Sequence, residues 1–159
     1  ADFLWLNRAS DGTTERLARR IAAQKNWKAP FIASKVLPLP PREPDGAPGA
    51  PCPVVAFAGI GKPEYFRKTL EEAGFTVLEM RAYPDHWNYT GEDCDTLLGA
   101  LKATGADRLV TTEKDAARLG RKGMGILNPL VQPITLSVDA AGELLLGRIL
   151  DLVHERETP

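Results

Sequence analysis

The sequence VVAFAGIGKP, residues 54–63, joins an uninterrupted apolar run to a glycine-rich turn and a proline. A continuous apolar run is typical of a strand that is buried on both faces of a parallel sheet. Pro63 suits the first position of a helix and Gly74 suits the end of one, which predicts a helix over 63–73. The stretch therefore predicts a strand, a tight turn and a helix, which is the repeating unit of a parallel α/β sheet.

The rest of the chain repeats this alternation of strand and helix. Strands are predicted over 75–80, 109–110 and 134–138, with a further short strand over 123–127, and helices over 90–103, 112–120 and 140–155. Thr90 with Asp93, and Thr112 with Asp115, have the spacing of a capping box. Because strands separated by helices pair in parallel through right-handed crossovers, we expect an α/β fold. It would be a three-layer, P-loop or Rossmann-like lobe with a parallel sheet and helices on both faces.

Three segments are expected along the chain. Residues 1–37 open with the apolar run Phe3-Leu4-Trp5-Leu6, which is typical of a strand buried on both faces, and such a strand needs neighbours. We therefore expect a fragment cut from a longer protein. Residues 38–53 hold seven of the thirteen prolines, which remove ladder donors and fix φ, so a linker is predicted there. Residues 54–159 are predicted to form a C-terminal α/β lobe.

The composition argues against several classes of protein. The chain has 20 Lys and Arg against 21 Asp and Glu, a net charge of -1, so we expect no nucleic-acid partner. Two cysteines, Cys52 and Cys94, are too few for a disulfide framework or a cysteine zinc site, which favours a reducing compartment. The apolar runs are shorter than the roughly 20 residues of a membrane span, so the chain is expected to be soluble.

The turn Gly59-Ile60-Gly61-Lys62 is the first candidate site. In an open parallel sheet, ligands bind beyond the carboxyl ends of the strands, and the N–H groups at a helix start can hold an anion. The two glycines and Lys62 are therefore candidates for substrate binding. The turn is not a Walker motif, because Ala56 stands where the first glycine would be and Pro63 where Ser or Thr would bind magnesium. A tight turn that needs glycine torsions is the simpler interpretation.

Two further strand-to-helix loops carry polar residues. Asp85-His86 places a carboxylate beside a histidine, and such a pair can orient an imidazole for proton transfer, although a solvated loop is the alternative. The aromatic residues around this pair serve either a ligand or packing. Lys114, in Thr112-Glu113-Lys114-Asp115, is a candidate for substrate binding, although a helix cap with a charged first turn explains the segment alone. The other histidine, His154, is expected to face solvent, and the sequence shows no cluster of metal ligands.

Three motifs in series resemble one enzyme family. They are Ala58-Gly59-Ile60-Gly61-Lys62-Pro63, Tyr83-Pro84-Asp85-His86-Trp87-Asn88-Tyr89-Thr90 and Thr112-Glu113-Lys114-Asp115-Ala116. In order and spacing they resemble the C-terminal half of the tetraacyldisaccharide 4'-kinases, the lipid A 4'-kinases. Lys62 stands where asparagine or histidine is common in that family, and Tyr83 where phenylalanine is common. The family's Walker A loop and catalytic aspartates have no counterpart in this sequence.

The resemblance implies a Gram-negative bacterial enzyme, peripheral on the cytoplasmic face of the inner membrane. It would transfer the γ-phosphate of ATP, with Mg²⁺, to the 4'-hydroxyl of a tetraacylated glucosamine disaccharide 1-phosphate. ATP and Mg²⁺ would be bound mainly by the missing P-loop half, across a cleft from this chain. By the same resemblance, residues 1–37 would be an N-terminal segment that continues this truncated P-loop half. The implied catalytic residues are His86 and Asp85: His86, positioned by Asp85, would support an aspartate of that half that deprotonates the hydroxyl. This chain alone is expected to be inactive.

A second class of function stays open. A stand-alone Rossmann-like module could bind a phosphorylated small molecule or a protein and catalyse nothing, because a fold alone does not determine a function. The coding sequence upstream of Ala1 discriminates between the two, since a GxxxxGK[ST] motif there would favour the kinase.

Overall fold

The computed structural model describes residues 3–6, 12–28 and 30–157, with side chains up to residue 151. In chain order the elements are β1 (Leu4–Leu6), α1 (Thr13–Gln24), β2 (Phe31–Pro38), β3 (Pro53–Ala58), α2 (Pro63–Glu72), β4 (Thr76–Ala82), α3 (Gly91–Thr104), β5 (Arg108–Thr112), α4 (Glu113–Leu127), β6 (Leu130–Gln132), β7 (Ile134–Val138) and α5 (Ala140–Glu157). Two compact units are present: Pro38–Ile134 is the larger, and the smaller combines Ala1–Leu37 with Thr135–Pro159.

The larger unit contains a four-stranded sheet with the strand order β4-β3-β5-β6. β3 pairs in parallel with both β4 and β5, and β5 pairs in parallel with β6. A helix follows each of β3, β4 and β5 in the chain. The predicted parallel α/β fold is therefore confirmed.

The core of this unit has two layers, one on each face of the sheet. Val54, Ala56 and Ala58 of β3 pack on one face with Phe66 and Leu70 of α2. The intervening residues of β3 point the other way because side chains alternate along a strand, and they pack against α3 and α4. The buried residues of this second layer are Val55, Phe57, Cys94, Leu97, Ala100, Leu109, Leu119 and Leu127. Helices cover both faces, as the sequence predicts.

Helix starts follow the capping signals, whereas one helix end does not. Thr90 and Asp93 form a complete capping box at α3, and the Thr112 side chain accepts a hydrogen bond from the Asp115 N–H at α4. The predicted end near Gly120 is a kink, with φ 61° and ψ -179°, beyond which α4 continues to Leu127. The short strand predicted over 123–127 is therefore wrong, and the next strand is β6.

Residues 38–53 are anchored to the sheet. Arg42 exchanges two backbone hydrogen bonds of 2.8 Å with Val131 of β6, and Pro41 is fully buried. A Cβ on Gly49 would lie 3.0 Å from both a Leu130 methyl carbon and the Pro41 carbonyl oxygen. Proline excludes this segment from a central strand, but it does not stop the segment from packing against one. The simple linker that the proline content predicts is therefore not what the structure shows.

The smaller unit holds a three-stranded sheet with the order β1-β2-β7, in which β1 and β2 are parallel. Trp5 in β1 is 44% exposed and Leu6 is buried, so this strand is not buried on both faces, contrary to the sequence-based expectation. A Cβ on Gly142 of α5 would lie 2.7 Å from Val138 and 2.9 Å from Ile32, which shows that α5 packs closely on this sheet.

The two units divide the chain differently from the three predicted segments. β7 and α5, which the prediction places in the lobe over 54–159, belong to the smaller unit, because β7 joins the sheet of β2 and not that of β6. The predicted linker over 38–53 belongs to the larger unit for the reasons given above. That residues 1–37 continue a P-loop half stays a prediction.

Candidate functional site

The candidate site lies where three loops leave the sheet of the larger unit. β3 is hydrogen-bonded to β4 on one side and to β5 on the other, and all three strands run in parallel. Their carboxyl ends therefore lie at one edge of the sheet, where open α/β sheets bind ligands. The loops are residues 59–62, residues 83–90 and residues 112–115 with the first turn of α4, and they contain every site residue that the sequence predicts.

Gly59 is the point at which the three loops meet. It is buried, and a Cβ on it would lie 3.0 Å from the Pro84 carbonyl oxygen, 3.1 Å from Asp115 Oδ1 and 3.2 Å from Trp87 Cβ. The close approach of these atoms therefore requires glycine at this position. The Gly59 carbonyl oxygen lies 3.4 Å from Arg118 Nη1. Gly59 is a packing position here, and its role in substrate binding stays a prediction.

The remainder of the glycine-rich turn is open. A Cβ on Gly61 would meet no atom within 4 Å, and Gly61 and Lys62 are both exposed. Lys62 is the N-cap residue of α2, and its side chain makes no capping hydrogen bond. The turn thus leaves a cation at a helix start, and the contact of Gly61 and Lys62 with substrate stays a prediction.

Asp115 is a fully buried carboxylate at the start of α4. Its Oδ2 accepts a hydrogen bond of 2.7 Å from the Thr112 hydroxyl. Its Oδ1 has no hydrogen bond in the described part of the chain, and it lies 3.5 Å from Nη1 of Arg118, whose side chain is 18% exposed. A buried charge is stable only when it is paired, so the guanidinium of Arg118 compensates this carboxylate.

The Tyr89 hydroxyl is close to the same carboxylate. Burial, and then the negative charge of Asp115, raise the pKa of Tyr89 well above its ordinary value. The hydroxyl is itself buried and makes no hydrogen bond to a described residue. Tyr89 is therefore a neutral phenol at neutral pH that presents its polar end to the Asp115 region.

The aromatic residues of the second loop pack against one another. Tyr89 meets Phe57 edge-on with ring centroids 5.6 Å apart, and Tyr83 lies 5.1 Å from Tyr89 and 5.8 Å from Trp87. Trp87 Nε1 also donates a hydrogen bond of 3.2 Å to Asp93. Of the two interpretations that the sequence leaves open, these contacts favour packing.

His86 is presented to solvent by a turn in the left-handed region. Its φ is 64° and its side chain is 72% exposed. The imidazole Nδ1 lies 2.7 Å from Nη2 of Arg118, whereas Nε2 lies 3.7 Å from Oδ2 of Asp85. The short contact of the ring is therefore with Arg118, and Asp85 approaches the ring beyond hydrogen-bond distance.

Asp85 holds the loop rather than the ring. Its Oδ1 accepts hydrogen bonds from the backbone N–H of His86 at 3.0 Å and from Lys114 Nζ at 2.9 Å. The hydrogen bond from Lys114 keeps the pKa of Asp85 below its usual value. The structure thus brings Lys114, Asp85 and His86 together, with Lys114 paired to Asp85.

Two residues of this site, Arg118 and Tyr89, are not predicted as site residues from the sequence. Arg118 lies inside α4, three residues after Asp115, and its neighbours His86 and Gly59 are distant in sequence. Its (i, i+3) spacing from an acidic residue is common on solvated helices, so the pattern did not distinguish it. Tyr89 was visible only as one of several aromatic residues.

The described residues contain no group of three or more His, Cys, Asp or Glu that could hold a metal ion. None of the helices in the described ranges is long and apolar enough to cross a membrane.

Comparisons with known proteins point to one family. The LpxK family model, tetraacyldisaccharide-1-P 4'-kinase, matches residues 1–150. The tetraacyldisaccharide 4'-kinase of Xanthobacter autotrophicus is 44% identical over 95 residues, which cover 55% of this chain and 27% of the relative. That of Methylobacterium radiotolerans is 49% identical over 80 residues, which cover 50% of this chain and 24% of the relative.

A solved structure shares the fold. The crystal structure of the "apo" form of LpxK from Aquifex aeolicus in complex with ATP superposes with a TM-score of 0.50 at 19% identity. The match covers 92% of this chain and 51% of that one. The matched region is thus about a quarter of the length of these two curated relatives and about half of the solved chain.

Proposed function

We propose that this chain, which belongs to the tetraacyldisaccharide-1-P 4'-kinase family, is the C-terminal lobe of a lipid A 4'-kinase. The observation that carries the proposal is the family match over residues 1–150. The activity is proposed for the whole gene product, because the match to relatives covers only a part of their length. The substrate would be a tetraacylated glucosamine disaccharide 1-phosphate, and residues 1–37 would continue the P-loop half.

The reaction would transfer the γ-phosphate of ATP to the 4'-hydroxyl of the disaccharide. A bond forms between the hydroxyl oxygen and the γ-phosphorus, the bond from that phosphorus to the β,γ-bridging oxygen breaks, and ADP leaves. The hydroxyl proton passes to a base. The solved relative in complex with ATP supports ATP as the donor. Such transfer gains mainly from positioning and charge stabilisation, which a lobe without a phosphate loop can supply in part.

The residues that the structure describes do not form a site for ATP phosphates and Mg²⁺. The space beside Gly61 is open, and the described residues offer no cluster of acidic ligands. Pro63 occupies the position of the magnesium-binding Ser or Thr of a Walker loop. We therefore assign ATP and Mg²⁺ to the P-loop half and assign no step of the reaction to them in this lobe.

His86 is the residue of this lobe that we propose to act on the reacting groups. Its imidazole is exposed at the carboxyl edge of the sheet, and it is fixed on one side by Arg118. An imidazole in this position can support, by hydrogen bonding, the aspartate that removes the hydroxyl proton. Asp85 would act through Lys114 and the backbone of His86, which hold the loop in place.

We propose that the enzyme works at the cytoplasmic face of the bacterial inner membrane as a peripheral protein. A tetraacylated substrate resides in a bilayer, and ATP is supplied by the cytoplasm. This lobe would meet the membrane surface only as part of the whole protein.

The test is phosphate transfer by the whole gene product. With γ-labelled ATP, Mg²⁺ and tetraacyldisaccharide 1-phosphate in detergent micelles, we expect label at the 4' position. A gene product without a GxxxxGK[ST] motif that transfers no label, yet binds phosphorylated ligands, would instead support the non-catalytic module. A lysine-to-alanine change in the Walker motif is the control that ties the transfer to the enzyme.

A further inference from the structure

The contact between Arg118 and His86 restricts the protonation state of the imidazole. Nη2 of Arg118 lies 2.7 Å from Nδ1 of His86. A guanidinium has five N–H donors, no acceptor, and no accessible neutral form in proteins. Nδ1 must therefore be the acceptor, and an imidazole that accepts at Nδ1 is neutral and carries its proton on Nε2.

Arg118 is itself held in place from the interior of the lobe. Its Nη1 lies 3.5 Å from the buried Oδ1 of Asp115 and 3.4 Å from the Gly59 carbonyl oxygen. Asp115 is fixed in turn by Thr112, and Gly59 by the atoms packed around its Cα. The guanidinium thus connects a fully buried carboxylate to an imidazole that is 72% exposed.

We propose that Arg118 is a positioning residue, which fixes His86 as the neutral tautomer protonated at Nε2. His86 then presents a hydrogen-bond donor, not a base, at the open side of the site. The other charged groups near the ring agree with this assignment: Asp85 Oδ2 lies 3.7 Å from Nε2, and Lys114 is bound to Asp85 at 2.9 Å. At this distance the Asp85 carboxylate attracts an Nε2–H group without a hydrogen bond, whereas it would repel an unprotonated Nε2.

The consequence for the reaction rests on the proposed function. A donor at Nε2 can hold and orient the carboxylate that takes the proton of the sugar hydroxyl, but it cannot take that proton itself. Loss of Arg118 would let the proton move between Nδ1 and Nε2 and would free the ring to rotate. The reaction would then slow because only part of the molecules hold the donor in place.

The first test uses this 159-residue chain and needs no activity. Nitrogen-15 spectra of the histidine rings, recorded at mildly alkaline pH, separate protonated from unprotonated ring nitrogens. We expect the wild-type His86 signals to show an unprotonated Nδ1 and a protonated Nε2. The H154Q variant removes the other histidine and assigns the signals. A wild-type spectrum with a protonated Nδ1 overturns the proposal at once, whether or not the gene product proves to be a kinase.

Variants of Arg118 test its role in the tautomer. In R118M we expect both tautomers of His86 to be populated. In R118K we expect a mixture intermediate between R118M and wild type, because a lysine can donate a hydrogen bond but cannot match the planar geometry of the guanidinium. R121M, which changes an exposed arginine on the same helix, should leave the spectrum unchanged. If R118M does not fold because the charge of Asp115 is then uncompensated, the spectrum of R118K decides whether Arg118 sets the tautomer. A wild-type tautomer in the folded Arg118 variant contradicts the proposal.

Kinetics of the whole gene product supply the second readout. We expect R118M to lower kcat about 10- to 100-fold with little change in KM, and R118K to restore part of the loss. On an H86A background, R118M should not lower kcat any further, because Arg118 acts through His86. Additive losses from the two substitutions would show that Arg118 acts independently of the imidazole, and would overturn the positioning role.

Discussion

Gly59 is the residue on which the packing of the three loops depends. An alanine there would place its Cβ 3.0 to 3.2 Å from a backbone oxygen, a buried carboxylate oxygen and a tryptophan Cβ. The carboxylate belongs to a short side chain that is buried and hydrogen-bonded to Thr112, and the other two atoms belong to the backbone or lie next to it, so the loops would have to move apart. We expect G59A to lower the free energy of unfolding by about 1–3 kcal/mol, the usual cost of overpacking.

Gly61 provides the matched control for this prediction. Its Cβ would enter open space, and its φ is not positive, so G61A should leave the free energy of unfolding nearly unchanged. Urea denaturation of the two variants measures both values. Equal stability of G59A and G61A would show that the loops are not packed around Gly59.

The sequence predicts some of the residues of the candidate site but not all of them. The sequence predicts Asp85, His86 and Lys114 as site residues because carboxylates, imidazoles and cations in strand-to-helix loops are typical of sites, and the structure brings the three together. Arg118 was missed because its contact with His86 joins residues 32 positions apart. The left-handed φ of His86, which directs the ring, is also not predictable from the sequence, because few residues other than glycine adopt it even though histidine does so more often than most.

At the scale of elements, an ion pair attaches the proline-rich segment 38–53 to the sheet. Arg108 of β5 donates two hydrogen bonds of 2.7 Å to the two carboxylate oxygens of Glu43. The side-chain hydrogen bond from Arg108 lowers the pKa of Glu43 below 4.5. A carboxyl whose folded pKa is lowered stabilises the fold above its unfolded pKa and loses that contribution as the pH falls through the folded value.

Because the pKa of Glu43 is lowered in the fold, the effect of E43Q on the free energy of unfolding should depend on pH. At neutral pH we expect E43Q to be about 1 kcal/mol less stable than wild type, since a bidentate, half-buried pair is stronger than a typical surface pair. As the pH falls below 4.5, the difference should shrink towards zero. E71Q, which breaks an exposed pair within α2, should cost less at neutral pH. A difference between E43Q and wild type that persists unchanged in acid would contradict this origin.

Element boundaries were predictable where a side chain marks them. Thr90 and Thr112 cap α3 and α4 because a hydroxyl at the N-cap satisfies a free backbone N–H. The sequence predicts that α4 ends near Gly120, whereas the structure shows a kink at Gly120, beyond which the helix resumes. The packing of Leu119 and Leu127 in one core layer outweighs the weak helical preference of glycine.

At the scale of the whole molecule, the alternation of strands and helices predicts the fold class, but it does not predict which strands share a sheet. Local pattern predicts that Ile134–Val138 is a strand, but not which sheet it joins. It extends the sheet of β1 and β2, so the chain returns at its end to the unit in which it begins. Such pairing between distant segments is not encoded in periodicity.

The 159-residue chain alone should be inactive. It carries no Walker loop, and Pro63 stands where such a loop has its magnesium-binding Ser or Thr, so we expect neither ATP hydrolysis nor phosphate transfer to the disaccharide. A phosphate-release assay with Mg²⁺ measures this directly. Magnesium-dependent hydrolysis by the pure chain that disappears in K62A would show that the glycine-rich turn binds nucleotide phosphate after all.

The most direct test of the account is the initial rate of transfer from γ-labelled ATP to tetraacyldisaccharide 1-phosphate by the whole gene product, compared between wild type and H86A. We expect 4'-phosphorylation by the wild type and a loss of about 10²- to 10⁴-fold in kcat for H86A, with a smaller change in KM. H154A, which changes the chain's other histidine, should retain wild-type turnover. No transfer by the wild type, or normal kcat in a folded H86A protein, would contradict the account.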